Sequence, residues 1–156
     1  MIPPTIDVEI DDPAWITAAP NAAELVDQAA AATLKAALSV VEGSLVVLLT
    51  DDATVQRLNR DFRAKDQPTN VLSFPAAANS EDHLGDVALA YGTCAAEAVA
   101  QGISLADHLR HLTAHGVLHL LGYDHEIDSE AEAMEALERR ILAGLGIADP
   151  YADEGD

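Results

Sequence analysis

Helical and extended segments follow one another without strict alternation along this chain, which predicts an α+β fold with a small mixed sheet of about four strands packed with about five helices. Three observations carry that reading. Four short stretches (5–10, 44–50, 70–74 and 85–90) are alternating or continuously apolar and are bounded by Pro, Gly or Asp. Longer stretches of helix-forming composition lie between them and after them. The length, 156 residues, suits one compact domain over 1–156 that buries roughly 68–70% of the surface its unfolded chain exposes. An α/β arrangement also satisfies the pattern.

TIDVEI (5–10) alternates apolar and polar residues and reads as a half-buried strand, ended by Asp11, Asp12 and Pro13. Asn21, with Glu24 three residues on, resembles a helix cap and its partner, and an Ala-rich helix follows to about 39. SLVVLLT (44–50) is a mostly buried strand, after which Thr50 or Asp51 caps a helix running to about 63. Pro68 keeps 64–69 a loop, and NVLSF (70–74) is a strand stopped by Pro75. Residues 76–84 read as a surface loop, 85–90 as a strand, and 93–100 as a short helix ending near Gly102. Ser104 and Asp107 form a capping-box-like pair at the head of a helix over 105–121. Its Leu109, Leu112, Leu118 and Leu120 face the sheet and its neighbours. The last helix starts near 129, where Glu130, Glu132 and Glu135 suit the positive end of its dipole. From 148 onward the tail is acidic and reads as frayed.

The formal net charge is −19, from 27 acidic and 8 basic residues. A free nucleic-acid binder of that charge would repel phosphate at long range. Half of the basic residues nevertheless fall close together, as Arg57, Arg60, Arg63 and Lys65. They form either a local anion-binding surface or a solvated face. Cys94 is the one cysteine, so an intrachain disulfide is excluded; it reads as a small core residue in a reducing, cytoplasmic protein. No charged and then apolar leader opens the sequence, and no apolar run reaches the ~20 residues of a membrane span.

The chemistry concentrates in HGVLHLLGYDH (115–125). His115 and His119 stand one helical turn apart, so their imidazoles share a side. Gly122 can end the helix in a left-handed conformation, which lets the chain turn back and bring His125 toward them. Three neutral imidazoles with one open position make a catalytic zinc site. His108, His111, His115 and His119 fall within an arc of roughly 80° on one face, but His108 lies about 16 Å along the axis from His119. It cannot share their ion, and His111 reads as a residue hydrogen-bonded behind the site or as a plain surface histidine. Asp124 either orients a ligand or caps the turn.

The spacing His-x-x-x-His-x-x-Gly-x-x-His resembles the skeleton of the metzincin peptidases, in which a glutamate follows the first histidine and serves as general base. Here that position is Gly116. A closer resemblance is to the YbeY family of bacterial rRNA-processing proteins. HGVLHLLGYDH, LNRDFRAKDQPTNVLSFP (58–75), LGD (84–86) and DPY (149–151) keep that family's order and spacing over about 45–151. Many family members carry aspartate at the position of Asn70, a departure read as affecting loop hydrogen bonds rather than chemistry.

The resemblance implies a zincin-like fold and one zinc ion per chain on His115, His119 and His125. It implies a functional arginine at Arg63 and a single-strand-directed, metal-dependent endoribonuclease. It further implies work on the 3′ end of 16S ribosomal RNA and on ribosome quality control, with the small ribosomal subunit, its proteins and the GTPase Era as partners. On the residues alone, Arg63 is either a phosphate-gripping fork or a surface arginine at a helix end. The ion either activates water or stabilises charge while the RNA's own 2′-hydroxyl attacks. Two other functions stay open. One is a metallohydrolase of another substrate class, against which Gly116 speaks. The other is a non-catalytic ribosome-assembly factor, whose docking on basic proteins the acidic surface would favour.

Overall fold

Alternating side chains decide which face of each strand meets a helix. In the computed structural model, which describes residues 5–37, 43–76, 83–123 and 128–150, the strands are β1 (Thr5–Ile10), β2 (Ser44–Thr50), β3 (Val71–Pro75) and β4 (His83–Ala90). They form a mixed sheet in the order β1-β2-β4-β3, with β1 and β4 parallel to β2 and β3 antiparallel to β4. The helices are α1 (Ala14–Ala18), α2 (Ala22–Ala37), α3 (Asp52–Arg63), α4 (Tyr91–Gln101), α5 (Leu105–Leu120) and α6 (Asp128–Gly144). The α+β class and the mixed four-stranded sheet are as expected.

β2 is flanked on both sides, which explains its nearly continuous apolar run. Leu45, Val47 and Leu49 point to one face, where they pack with Val26 and Leu34 of α2 and Leu109, Leu112 and Val117 of α5. The other face receives α3, through Val55 against Leu72, Ala88 and Ala90. α6 lies behind α5, with Met134, Leu137 and Ile141 packed on Ala114 and Leu118. Leu118 therefore faces α6, whereas Leu109, Leu112 and Leu120 belong to the core beneath the sheet.

Two features add to the expected elements. The same Pro13 that stops β1 opens α1, because proline suits the start of a helix and Asp12 Oδ1 accepts the Ala14 N–H at 2.9 Å. Trp15 anchors this turn: its indole N–H donates to the Thr50 carbonyl at 3.0 Å and its ring meets Tyr91 edge-on at 5.3 Å. β4 begins at His83 because the strand bulges, Ser44 pairing with His83 and Leu45 with Gly85. Gly85 has φ 145°, and a Cβ there would lie 2.5 Å from the Phe74 carbonyl oxygen. The middle of the expected 76–84 loop and residues 151–156 of the tail lie outside the described residues; Asp149 is held by Arg139 Nε at 3.3 Å.

Helix caps place the segments that matter below. Asp51 Oδ1 accepts the Thr54 N–H at 2.7 Å at the head of α3, and hydrogen bonds from Thr54 hold its carboxyl below the usual carboxylate range. Ser104 Oγ accepts the Asp107 N–H at 3.0 Å at the head of α5. α4 borrows its cap, since Asp52 of α3 accepts the Thr93 N–H at 2.9 Å. Cys94 is fully buried in α4, and burial, with Glu97 adding, pushes its thiol up to about 12. The native protein should therefore resist thiol-reactive dyes and label only when unfolded. Equal labelling rates with and without urea would contradict that core placement.

Candidate metal and anion site

His115 and His119 lie one turn apart near the end of α5, with ring centroids 4.6 Å and Nε2 atoms 3.0 Å apart. Each ring is gripped from behind through Nδ1. His115 Nδ1 sits 2.7 Å from Glu138 Oε1, and His119 Nδ1 sits 2.9 Å from the Tyr123 carbonyl oxygen. An ionised carboxylate and a carbonyl only accept, so with neutral rings both Nδ1 atoms donate and both Nε2 lone pairs point into the space between the rings. Two such lone pairs repel unless a cation lies between them. Zinc–nitrogen bonds of about 2.0–2.1 Å at a tetrahedral angle put two ligand nitrogens about 3.3 Å apart. The observed 3.0 Å is close to that, so the pair fits a zinc ion. His125, the third candidate ligand, and Asp124 lie outside the described residues. Among the described residues no group of three His, Cys, Asp or Glu side chains is placed to hold a metal.

The helix stop participates in the site. Gly122 has φ 96°; its N–H donates to the His119 carbonyl at 3.1 Å, and the Tyr123 N–H donates to the Leu118 carbonyl at 3.1 Å. This left-handed reversal turns the Tyr123 carbonyl back onto the His119 ring.

Glu138, on α6, was not foreseen. Its side chain is 0% exposed, and its second oxygen lies 3.0 Å from His111 Nε2, so one buried carboxylate bridges two histidines of α5. The signal available in the sequence was an acidic residue inside the apolar stripe Met134, Leu137, Ile141. His111 is thus hydrogen-bonded behind the site, one of its two expected roles. His108 is buried and faces α4, its Nε2 2.9 Å from Glu97 Oε1. Asn70 Nδ2 donates to the same Glu97 carboxylate at 3.0 Å, while its Oδ1 accepts the Val71 N–H at 2.7 Å. Asn70 therefore ties the start of β3 to α4, and it also lines the cleft described below.

At Gly116, α5 lies close against the sheet. A Cβ there would be 2.7 Å from Val87 Cγ1 and 3.3 Å from Ser73 Oγ, and Ser73 Oγ donates to the Gly116 carbonyl at 2.9 Å. The position that bears a glutamate in metzincins has no room for a side chain here.

The two histidines open into a cleft of about 550 Å³ along the free edge of β3. Arg63 and Lys65, at the end of α3 and just beyond it, line the same cleft, and no described lining residue is acidic. Buried Asn59 secures this rim by donating from Nδ2 to the Gln67 carbonyl at 3.0 Å. The fold thus places Arg63 on the same cleft as the histidine pair. Arg57 and Arg60 stay outside the cleft, the latter paired with Asp61 at 3.0 Å.

Paired imidazoles at the mouth of a cationic cleft have the make-up of a hydrolase site for an anionic substrate. The sequence profile described as Endoribonuclease YbeY matches residues 8–146, and the chain belongs to that family. Relatives bearing the same name include those of Paramagnetospirillum magneticum (54% identical over 160 residues, 96% of each chain covered) and Azorhizobium caulinodans (54% over 154 residues, 94% of this chain and 96% of the relative). The relative from Maricaulis maris is 49% identical, with 96% of this chain and 92% of its own covered. The solution structure of TM1509 from Thermotoga maritima shares the fold at a TM-score of 0.56 and 22% identity, covering 94% of this chain and 98% of that one. Among the described residues no helix is long and apolar enough to cross a membrane.

Proposed function

We propose that the protein is a zinc-dependent endoribonuclease that cuts single-stranded RNA in the cytoplasm, acting on the 3′ end of 16S ribosomal RNA and in ribosome quality control. One observation carries the reading beyond family membership. On a chain of net charge −19, the cleft beside His115 and His119 is lined by Arg63 and Lys65 and by no described carboxylate. Local positive potential inside an acidic protein attracts a phosphodiester to that place and repels it elsewhere. Phe62, the neighbour of Arg63, is 70% exposed and stands edge-on to Phe74 at 5.7 Å. It offers a face on which an unpaired base can stack, which a duplex cannot use.

His115, His119 and His125 are the residues that would hold the zinc, which supplies Lewis acidity, polarising a phosphoryl oxygen and making water a stronger acid. The Arg63 guanidinium grips two phosphoryl oxygens and stabilises the charge that develops on them. Lys65 adds attraction at the rim. Gly116 supplies no proton acceptor, so general-base chemistry of the metzincin kind has no residue at that position. The acidic exterior favours a partnership with basic proteins of the small ribosomal subunit, and the family resemblance adds the GTPase Era.

The test is cleavage of a labelled RNA carrying an unprocessed 16S 3′ end by the wild type and by His115→Ala, each with and without a chelator. The wild type should cut, and both the chelator and the substitution should abolish cutting. Equal activity of the two proteins would reject the nuclease and favour an assembly factor, the reading that the overall charge supports.

A further inference from the structure

We infer that Glu138 is a positioning residue of this site, holding His115 in the tautomer and rotation that present its Nε2 lone pair for metal binding before a metal arrives. The inference rests on the zinc reading above. Glu138 occupies a place in the apolar stripe of α6 where a hydrophobic residue would pack well against its neighbours. A buried carboxylate is costly unless its oxygens are hydrogen-bonded, and here both are, at 2.7 Å to His115 Nδ1 and 3.0 Å to His111 Nε2.

The chemistry of the imidazole makes this arrangement specific. Free neutral histidine favours the proton on Nε2, the tautomer that would block its metal-binding lone pair. A carboxylate against Nδ1 reverses that preference. His111 explains the second contact: it pins the other oxygen, so the carboxylate cannot rotate away from His115. His119 is fixed differently, by the backbone carbonyl of Tyr123. The two imidazoles are thus set by independent devices, one from α6 and one from the helix stop.

Imidazole nitrogen NMR of the metal-free wild type, read on the neutral form of the ring, should show His115 protonated on Nδ1 and bare at Nε2. Glu138→Met keeps length and suits the apolar surroundings. It should move His115 toward the Nε2–H tautomer and weaken zinc binding by about 10- to 100-fold, measured against a chromogenic chelator. The metal-free variant should melt at or above the wild-type temperature, since apolar replacement of a buried charge is often stabilising. An Nε2–H tautomer in the wild type, or unchanged zinc affinity in Glu138→Met, overturns the role of Glu138 and leaves the zinc reading intact. A wild type that takes up no zinc overturns both. If the variant fails to fold, the wild-type tautomer still decides.

Discussion

Changing Arg63 to alanine should slow RNA cleavage by about a hundred- to a thousandfold, the usual effect of removing one preorganised group from developing charge, while zinc affinity stays at the wild-type value. The reason is the division of labour in the cleft. The imidazoles come from α5, whereas Arg63 comes from the end of α3 on the opposite face of the sheet and meets them only across the cleft. Among the described residues, Arg63 makes none of the hydrogen bonds that hold the two rings from behind, which come from Glu138 and Tyr123. Arg63→Lys should recover part of the lost rate, because it restores the charge without the planar fork. Single-turnover cleavage together with chelator competition separates the outcomes. Loss of zinc in Arg63→Ala would mean that the arginine supports the metal site and does not bind substrate.

Gly116→Glu should destabilise the protein severely and confer no peptidase activity. A Cβ at this position already falls 2.7 Å from Val87 Cγ1 and 3.3 Å from Val71 Cγ2, so overpacking alone costs about 1–3 kcal/mol. The carboxylate would then be buried between α5 and the sheet at a further cost of several kcal/mol. That sum is comparable with the whole stability of a typical domain, about 5–15 kcal/mol. Gly116→Ala isolates the first part, offset by about 1 kcal/mol of improved helix propensity. Urea denaturation followed by circular dichroism measures both variants. Wild-type stability in Gly116→Glu would show that α5 can lift away from β3 and β4, and the steric case against metzincin chemistry would fall.

Much of the frame was legible because local rules and tertiary packing agree. TIDVEI alternates because β1 shows one face to α2, and SLVVLLT does not because β2 is covered on both sides. Ser104 is a cap in the structure as its spacing suggested, and of the two candidates at the head of α3 it is Asp51 that caps. The histidine pair was readable for the same reason, since one turn of helix fixes which side chains are neighbours. α1 escaped notice because Asp-Asp-Pro ends a strand and begins a helix with the same residues. Glu138 escaped because it lies 19 positions beyond His119 and reaches the site only through the docking of α6. The contribution of Tyr123 is a main-chain carbonyl, which no side-chain pattern encodes.

That carbonyl has a consequence for how damage to this protein would present itself. The reversal at Gly122 lies on the wall of the cleft, and among the described residues nothing comes within 4 Å of where its Cβ would be. A lesion there would cost little in packing, only the strain of a left-handed residue, about 1–2 kcal/mol. Yet one residue, Tyr123, both helps to close α5 through its N–H and aims His119 through its carbonyl. Fraying that single turn would leave a folded molecule whose imidazole no longer points where it should, a defect of aim out of proportion to the few degrees that a melting curve would record.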